Sequence, residues 1–334
     1  MSMHVGVTTE GFASSVASYT DMEAPLVKLM WAAATVGVSP TAPSLGSRSV
    51  LELCWRMTLV ASTLDVTGNR WRRSDGYDRL DGTEKGAVSY FHGMTMAQLA
   101  CAEVLDVPSL VHLDRVLALM GKKATHRSRP DFLGVHPFLK TTSVAVEAKG
   151  RSNGIDLPAL KTAKDQAKLL PTVTGVVATL AVASMSYFAA PSGSDPAWQC
   201  RLEDPPRQRS ADVIDRSAII ALHYEPLVAA ASSRDADGQG EFLRWHLRDV
   251  DAWLWLPAVV FELGVPLLAG GSLAMFEDVG AAIEAALIEL VEAKDFSERL
   301  DIASRSRDAG RFYLGQNGVG IELGESWSSV EAPA

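Results

Sequence analysis

Cysteine is scarce. Cys54, Cys101 and Cys200 are the only three in 334 residues, far apart and in no C-x-x-C spacing. That excludes a disulfide scaffold and leads us to expect a reducing compartment. No G-x-S-x-G occurs, which removes the nucleophile elbow of a serine hydrolase. No G-x-x-x-x-G-K-[ST] occurs either, so any ATP-driven activity would need a partner. The close His and Cys pairs of a zinc site are also missing. The opening MSMHVGVTTEGFASS has neither a basic region nor a long apolar run, so the cytoplasm is the expected location. Long uncharged stretches are few. The longest is residues 169–194, LLPTVTGVVATLAVASMSYFAAPSGS. Its early Pro171 and its many Thr, Ser and Ala make insertion weakly favourable, so a buried strand and no membrane contact are expected.

What is present is the balance of a globular chain, 47% hydrophobic and 21% charged, at a length suited to two domains or one enlarged domain. With 31 Lys and Arg against 40 Asp and Glu the net charge is −9, which argues against a protein that coats nucleic acid with its whole surface. Apolar spacing near 3.6 predicts helices over Phe12–Val36 and Ser49–Leu64, making residues 1–88 an N-terminal helical segment. Within it, Arg70, Trp71, Arg72 and Arg73 form a basic cluster whose aromatic ring would stack on a base or cap a core. Residues 89–190 change character to α/β, with a helix over Tyr90–Leu105 and strands over Arg129–Val135 and Ser143–Gly150. Residues 191–212 carry four prolines and read as a linker. Residues 213–334 read as helical, over Val213–Ala231, Glu241–Leu263 and Phe276–Lys294, and end in a hairpin with a type I′ turn at Asn317-Gly318.

The chemistry concentrates between His126 and Gly150. In a strand over Ser143–Gly150, side chains two apart share a face, so Ala145, Glu147 and Lys149 point one way and Val144 and Val146 the other. An antiparallel neighbour over Arg129–Val135 would bring Asp131 beside Glu147 at a sheet edge. Two carboxylates can hold a hard cation, Mg²⁺ or Mn²⁺, with the backbone carbonyl of Ala148 as a further ligand. The cation would activate water, and Lys149 would orient that water or stabilise the phosphoryl oxyanion. His126 and His136 flank the Asp131 strand and would either assist proton transfer or serve as loop residues.

Pro130-Asp131, then Glu147-Ala148-Lys149 on the next strand, then a helix containing Gln166, resembles the PD-(D/E)xK nuclease superfamily. The resemblance covers residues 89–190. It implies an α/β fold with an αβββαβ restriction-endonuclease-like core, here extended by N- and C-terminal helical segments. It also implies a Mg²⁺-dependent DNA endonuclease or exonuclease, as in restriction or defence against foreign DNA, with Asp131 and Glu147 as metal ligands and Lys149 catalytic. Gln166 matches the helix glutamine of exonuclease-like members. Glu103, or else Gln98, stands where some members place a further metal-binding acid on the first helix. A second E-A-K, Glu292-Ala293-Lys294, lies in a helical pattern where residues two apart diverge, and carries no such implication.

Charge points the same way. Between Arg115 and Leu170 there are eleven Lys or Arg and four acids, a net of +7 that leaves −16 for the rest of the chain. A phosphate backbone would approach this region, with Arg127, Arg129, Arg151, Lys161 and Lys164 as substrate contacts. A protein partner or second copy of the chain would use the apolar C-terminal helices. The competing expectations are a non-catalytic assembly protein built on the same core, and a metal-dependent hydrolase of a small phosphate ester.

Overall fold

A computed structural model describes residues 3–37, 47–122, 129–190, 196–292 and 310–327. The chain begins with β1 (His4–Glu10), β2 (Tyr19–Glu23), α1 (Leu26–Thr35), α2 (Ser47–Thr63), β3 (Leu64–Thr67), β4 (Arg70–Arg73), α3 (Asp75–Asp78) and α4 (Gly82–Leu105). The expected all-helical start is therefore corrected. The 3.6 spacing in residues 12–36 belongs to α1 alone, while Tyr19–Glu23 forms an edge strand that pairs antiparallel with β1. Trp71 is fully buried and donates its indole N–H to the Ala24 carbonyl at 2.7 Å, so it caps a core and offers no face to a base.

Next come β5 (Ser109–His112), α5 (Leu113–Leu119), β6 (Phe132–Val135), β7 (Thr142–Gly150), α6 (Leu157–Ala167), β8 (Leu169–Val173), β9 (Ala178–Ala189), β10 (Ala197–Glu203) and β11 (Gln208–Ile214). A nine-stranded mixed sheet runs β3-β4-β1-β10-β9-β7-β6-β5, with β2 on β1. β5, β6 and β7 form an antiparallel meander, and α6 carries the chain across so that β9 returns parallel to β7. The described part of the uncharged run, residues 169–190, thus holds β8 and the central β9, whose Ala181, Val182, Ala183 and Met185 are fully buried. No helix among the described residues is long and apolar enough to cross a membrane. Residues 191–195 of the expected linker lie outside the described residues, and the remainder, 196–212, is mostly strand. β10 fills the gap between β1 and β9, and the Pro205-Pro206 pair only separates it from β11, which pairs with β8.

The C-terminal region holds α7 (Arg216–Ala231), β12 (Asp237–Gln239), β13 (Phe242–Leu247), β14 (Ala252–Pro257), α8 (Ala258–Gly264), α9 (Leu273–Glu292), β15 (Phe312–Leu314) and β16 (Gly320–Leu323). The helix expected over 241–263 is instead the hairpin β13–β14 followed by α8. Trp245, Leu247, Leu254 and Leu256 alternate into the core with period two, and Asp251 turns the chain at φ 42°. The final hairpin forms as expected, in a five-stranded sheet ordered β12-β13-β14-β16-β15. Its turn is not type I′, because only Gly318 has a positive φ, 74°. Asn317 is buried and caps the loop from within, accepting the Val319 N–H at 3.1 Å and donating to the Pro108 carbonyl at 3.2 Å. The apolar faces of the C-terminal helices pack on each other. α7 is buried along almost its whole length, and Gly280 of α9 lies so close to the Ser217 carbonyl that a Cβ there would stand 1.9 Å away.

Candidate active site

β7 is an interior strand over most of its length, and its residues from Ser143 to Ala148 are buried on both faces. One face is closed by α4. Gly93 and Gly150 let the helix meet the strand backbone to backbone, since a Cβ on Gly150 would fall 1.6 Å from the Ser89 carbonyl. On its other edge β7 pairs with β6 only from Ser143 to Val146. The strands part beyond Val146, and Glu147 to Gly150 form a local edge inside the sheet. Asp131, the residue before β6, turns into this gap, and its Oδ2 accepts the Ala148 N–H at 3.0 Å. In an extended strand the Ala148 carbonyl points to the same edge as its N–H.

Glu147 is 1% exposed. Its Oε1 accepts from the Lys149 ammonium, while Oε2 is buried without a hydrogen-bond partner. Burial first, and then the neighbouring Asp131 charge, push the Glu147 carboxyl up to about 8, against the pull of Lys149. Burial also raises Asp131, opposed by the Ala148 N–H and by Lys149. The expected trio of Asp131, Glu147 and Lys149 is therefore brought together, with one carboxylate oxygen lacking a positive partner. Among the described residues no group of three or more His, Cys, Asp or Glu converges, so a cation here would be held by two carboxylates, and water would complete its shell.

Other expected residues lie elsewhere. Glu103 pairs with Lys28 at 2.6 Å and accepts the Tyr313 hydroxyl at 2.8 Å, a structural link from α4 to α1 and β15. Gln98 is fully buried and donates to the Pro108 carbonyl at 2.6 Å. His136 is buried, with burial lowering it to about 4, and its Nδ1 accepts the Leu139 N–H at 3.2 Å, so it organises a loop. Gln166 is half-buried on α6. Lys123, His126 and Arg127 lie outside the described residues, as do Ala293 and Lys294.

The positive stretch is also changed by folding. Of its nine described cations, eight sit in ion pairs, among them Arg129 with Asp114 and Lys164 with Glu203 at 2.7 Å; Lys161 is the ninth. Five of the acidic partners, Asp114, Glu203, Asp212, Glu225 and Glu284, come from outside residues 115–170. The +7 counted along the sequence is not a +7 surface. Arg151 closes on Asp156 at 2.8 Å and on the Gly150 carbonyl at 2.9 Å, bracing the turn after Lys149.

Two residues near the carboxylates carried no sequence signal. Asp114 follows β5 and adds negative charge toward Asp131. Tyr90, on α4, is pushed above its ordinary value by burial and by the Asp131 and Glu147 charges. Asp114 lies in the first turn of α5, with Leu113 between it and β5, and the tyrosine is visible only once α4 is laid across β7. Comparison of the chain with protein-family models, curated proteins and solved structures finds no match.

Proposed function

We propose that this protein is a metal-dependent phosphodiesterase acting on nucleic acid, with Asp131 and Glu147 holding Mg²⁺ or Mn²⁺ and Lys149 beside the reacting phosphate. One observation carries the reading: a buried carboxylate with an unpartnered oxygen stands beside a second carboxylate and a lysine at a gap in the sheet. A bound cation would supply the missing positive charge, activate water and draw electron density from the phosphate. Asp131 is held in place by the Ala148 N–H, and the Ala148 carbonyl faces the same gap. Lys149 is a quarter exposed at the side chain, so its ammonium can turn from Glu147 toward a phosphate oxygen once the cation has taken its place. The order α4, β5, β6, β7, α6 and β9, with β5 to β7 antiparallel and β9 parallel to β7, supports the resemblance to the PD-(D/E)xK core, once α5 and β8 are counted as insertions between them.

The paired state of eight of the nine described cations of residues 115–170 favours a second reading, a hydrolase of small phosphate esters, because those eight are already engaged by carboxylates. The test is cleavage of supercoiled, linear and single-stranded DNA with Mg²⁺ or Mn²⁺ by the wild type and by Lys149→Ala and Asp131→Asn. Each substitution is expected to lower the rate by about a hundredfold or more. Equal cleavage by all three preparations would assign the activity to a contaminant and remove the proposal. Hydrolysis of a small phosphodiester without any of DNA would favour the second reading.

A further inference from the structure

Beside the carboxylate pair lies an aromatic face that no other described element covers. Trp55 on α2 is 48% exposed and Tyr90 on α4 is 46% exposed. Phe91 joins them, with its ring edge-on to Trp55 at 4.6 Å and to Tyr90 at 5.3 Å. Leu51, one turn before Trp55, is 58% exposed and extends the patch. Its place is set by the helix–strand contact: Tyr90 follows Ser89, whose carbonyl touches Gly150, the residue after Lys149. Large aromatic surfaces left open next to a polar site mark recognition.

A second feature adjoins α2. A polar cavity of about 340 Å³ is lined by Ser232, Ser233, Arg234, Asp235, His246 and Arg248. The 3₁₀ turn Arg248–Val250 packs against α2, and the charges of Asp249 and Arg234 reach the thiol of Cys54, the neighbour of Trp55. Arg234 is paired with Asp249 at 3.2 Å and Asp235 also lines the cavity, so a phosphate group there would be drawn by Arg248 and the two hydroxyls. Since eight of the nine described cations of residues 115–170 are already paired, their attraction for phosphates is weakened, and a polymeric substrate needs another source of affinity. Stacking on open rings supplies one, and only unpaired bases present free faces to it.

We propose that Trp55 and Tyr90 stack unpaired bases of a single-stranded nucleic acid whose phosphodiester lies at the Asp131–Glu147 site, and that the Arg234–Arg248 cavity seats a neighbouring phosphate. This rests on the phosphodiesterase reading for the reaction, but not for the binding. The full chain is titrated, in chelator, into a fluorescent oligothymidylate of about 12 nucleotides, an abasic strand of equal length and a blunt duplex, with anisotropy as the readout. The thymidylate is expected to bind at least about tenfold more tightly than the abasic strand. Trp55→Leu and Tyr90→Leu should each weaken it by about five- to a hundredfold, and Tyr90→Phe should bind within about twofold of wild type. Arg248→Ala should weaken all strands alike and reduce the salt slope by about one.

Equal binding of the base-bearing and abasic strands overturns the proposal, as does unchanged binding by both leucine variants with wild-type urea midpoints. A wild-type dimer in sedimentation that Trp55→Leu converts to monomer also overturns it, since the patch would then be covered by a second copy. Loss of binding in Tyr90→Phe would move the role from ring to hydroxyl and refute stacking. Because binding is read without metal, absence of cleavage with Mg²⁺ removes the catalytic reading alone, and absence of base dependence removes this one alone.

Discussion

Replacing Glu147 by glutamine should stabilise the metal-free protein, by an amount that depends on pH. The side chain is 1% exposed, and its carboxyl is moved from 4.5 to about 8. At ~1.4 kcal/mol per pH unit, that span corresponds to a ceiling of ~5 kcal/mol disfavouring the folded, ionised form. Below pH 4.5 the group is protonated in both states and contributes nothing. Between 4.5 and about 8 the folded chain keeps a proton that the unfolded chain releases, so stability falls as pH rises, by up to ~1.4 kcal/mol per unit. Above about 8 the penalty is complete. Glutamine has the same shape and no charge to bury, and Lys149, a quarter exposed, can turn its ammonium to water. Urea titrations in chelator should therefore show Glu147→Gln about 2–5 kcal/mol more stable than wild type at pH 8.5, with the difference closing toward pH 5. Mg²⁺ should raise the wild type by about 2.7 kcal/mol at a hundred times its dissociation constant and leave the variant unchanged. A difference independent of pH, or a variant less stable at pH 8.5, would refute the assignment of Glu147 as a carboxylate ionised at its own expense.

The acid side should be governed by histidines. Burial lowers His92 to about 3 and, as the main cause, lowers His112, His136 and His223 to about 4. Above their ordinary 6.5 they are neutral in both states. Below it the unfolded chain takes up protons that the folded chain refuses, so stability should drop steeply from pH 6.5 toward 4, with circular dichroism following a cooperative loss; a flat profile down to pH 4 would contradict their neutral burial. Gly150→Ala should destabilise by about 3 kcal/mol or more, because its Cβ would stand 1.6 Å from the Ser89 carbonyl and neither backbone can yield cheaply. Gly154→Ala, with nothing within 4 Å, is the matched control and should leave the urea midpoint in place.

The meeting of Asp131, Glu147 and Lys149 is legible because it is local. Their positions follow from strand alternation and one antiparallel neighbour, both of which act over a few residues; hydrophobic period also marks α4, β5, β6, β7, α6 and β9, but not α5 or β8, which lie between them. Failures came where pairing partners are distant in sequence. Nothing within Gln199–Glu203 indicates that it will lie parallel to Gly6–Glu10, nearly two hundred residues away, so prolines beside it dominated and a linker was expected. Residues 241–263 show the other limit. Apolar residues in Phe242–Pro257 satisfy both periods, and the three-residue 3₁₀ turn with Asp251 at positive φ decides for a hairpin. Glu103 and Gln98 both sit on α4, yet one is taken by Lys28 and Tyr313 and the other by a core carbonyl.

Charge counted along the chain was the least transferable signal, and its failure bears on substrate choice. Arg115, Lys122, Lys140 and Lys164 look like a phosphate-binding run until folding sets Glu225, Asp212, Glu284 and Glu203 against them. Side chains already paired release fewer counterions when a polyanion approaches, so nucleic-acid binding by this protein should show a shallow salt dependence. A shallow slope is hard to reconcile with tracking along duplex DNA, where the phosphate backbone carries most of the affinity. It fits a substrate held by its bases at Trp55 and Tyr90, with a single phosphodiester drawn to the cation that Asp131 and Glu147 would hold. The length of the salt slope therefore separates the two modes of approach before any cleavage product is identified.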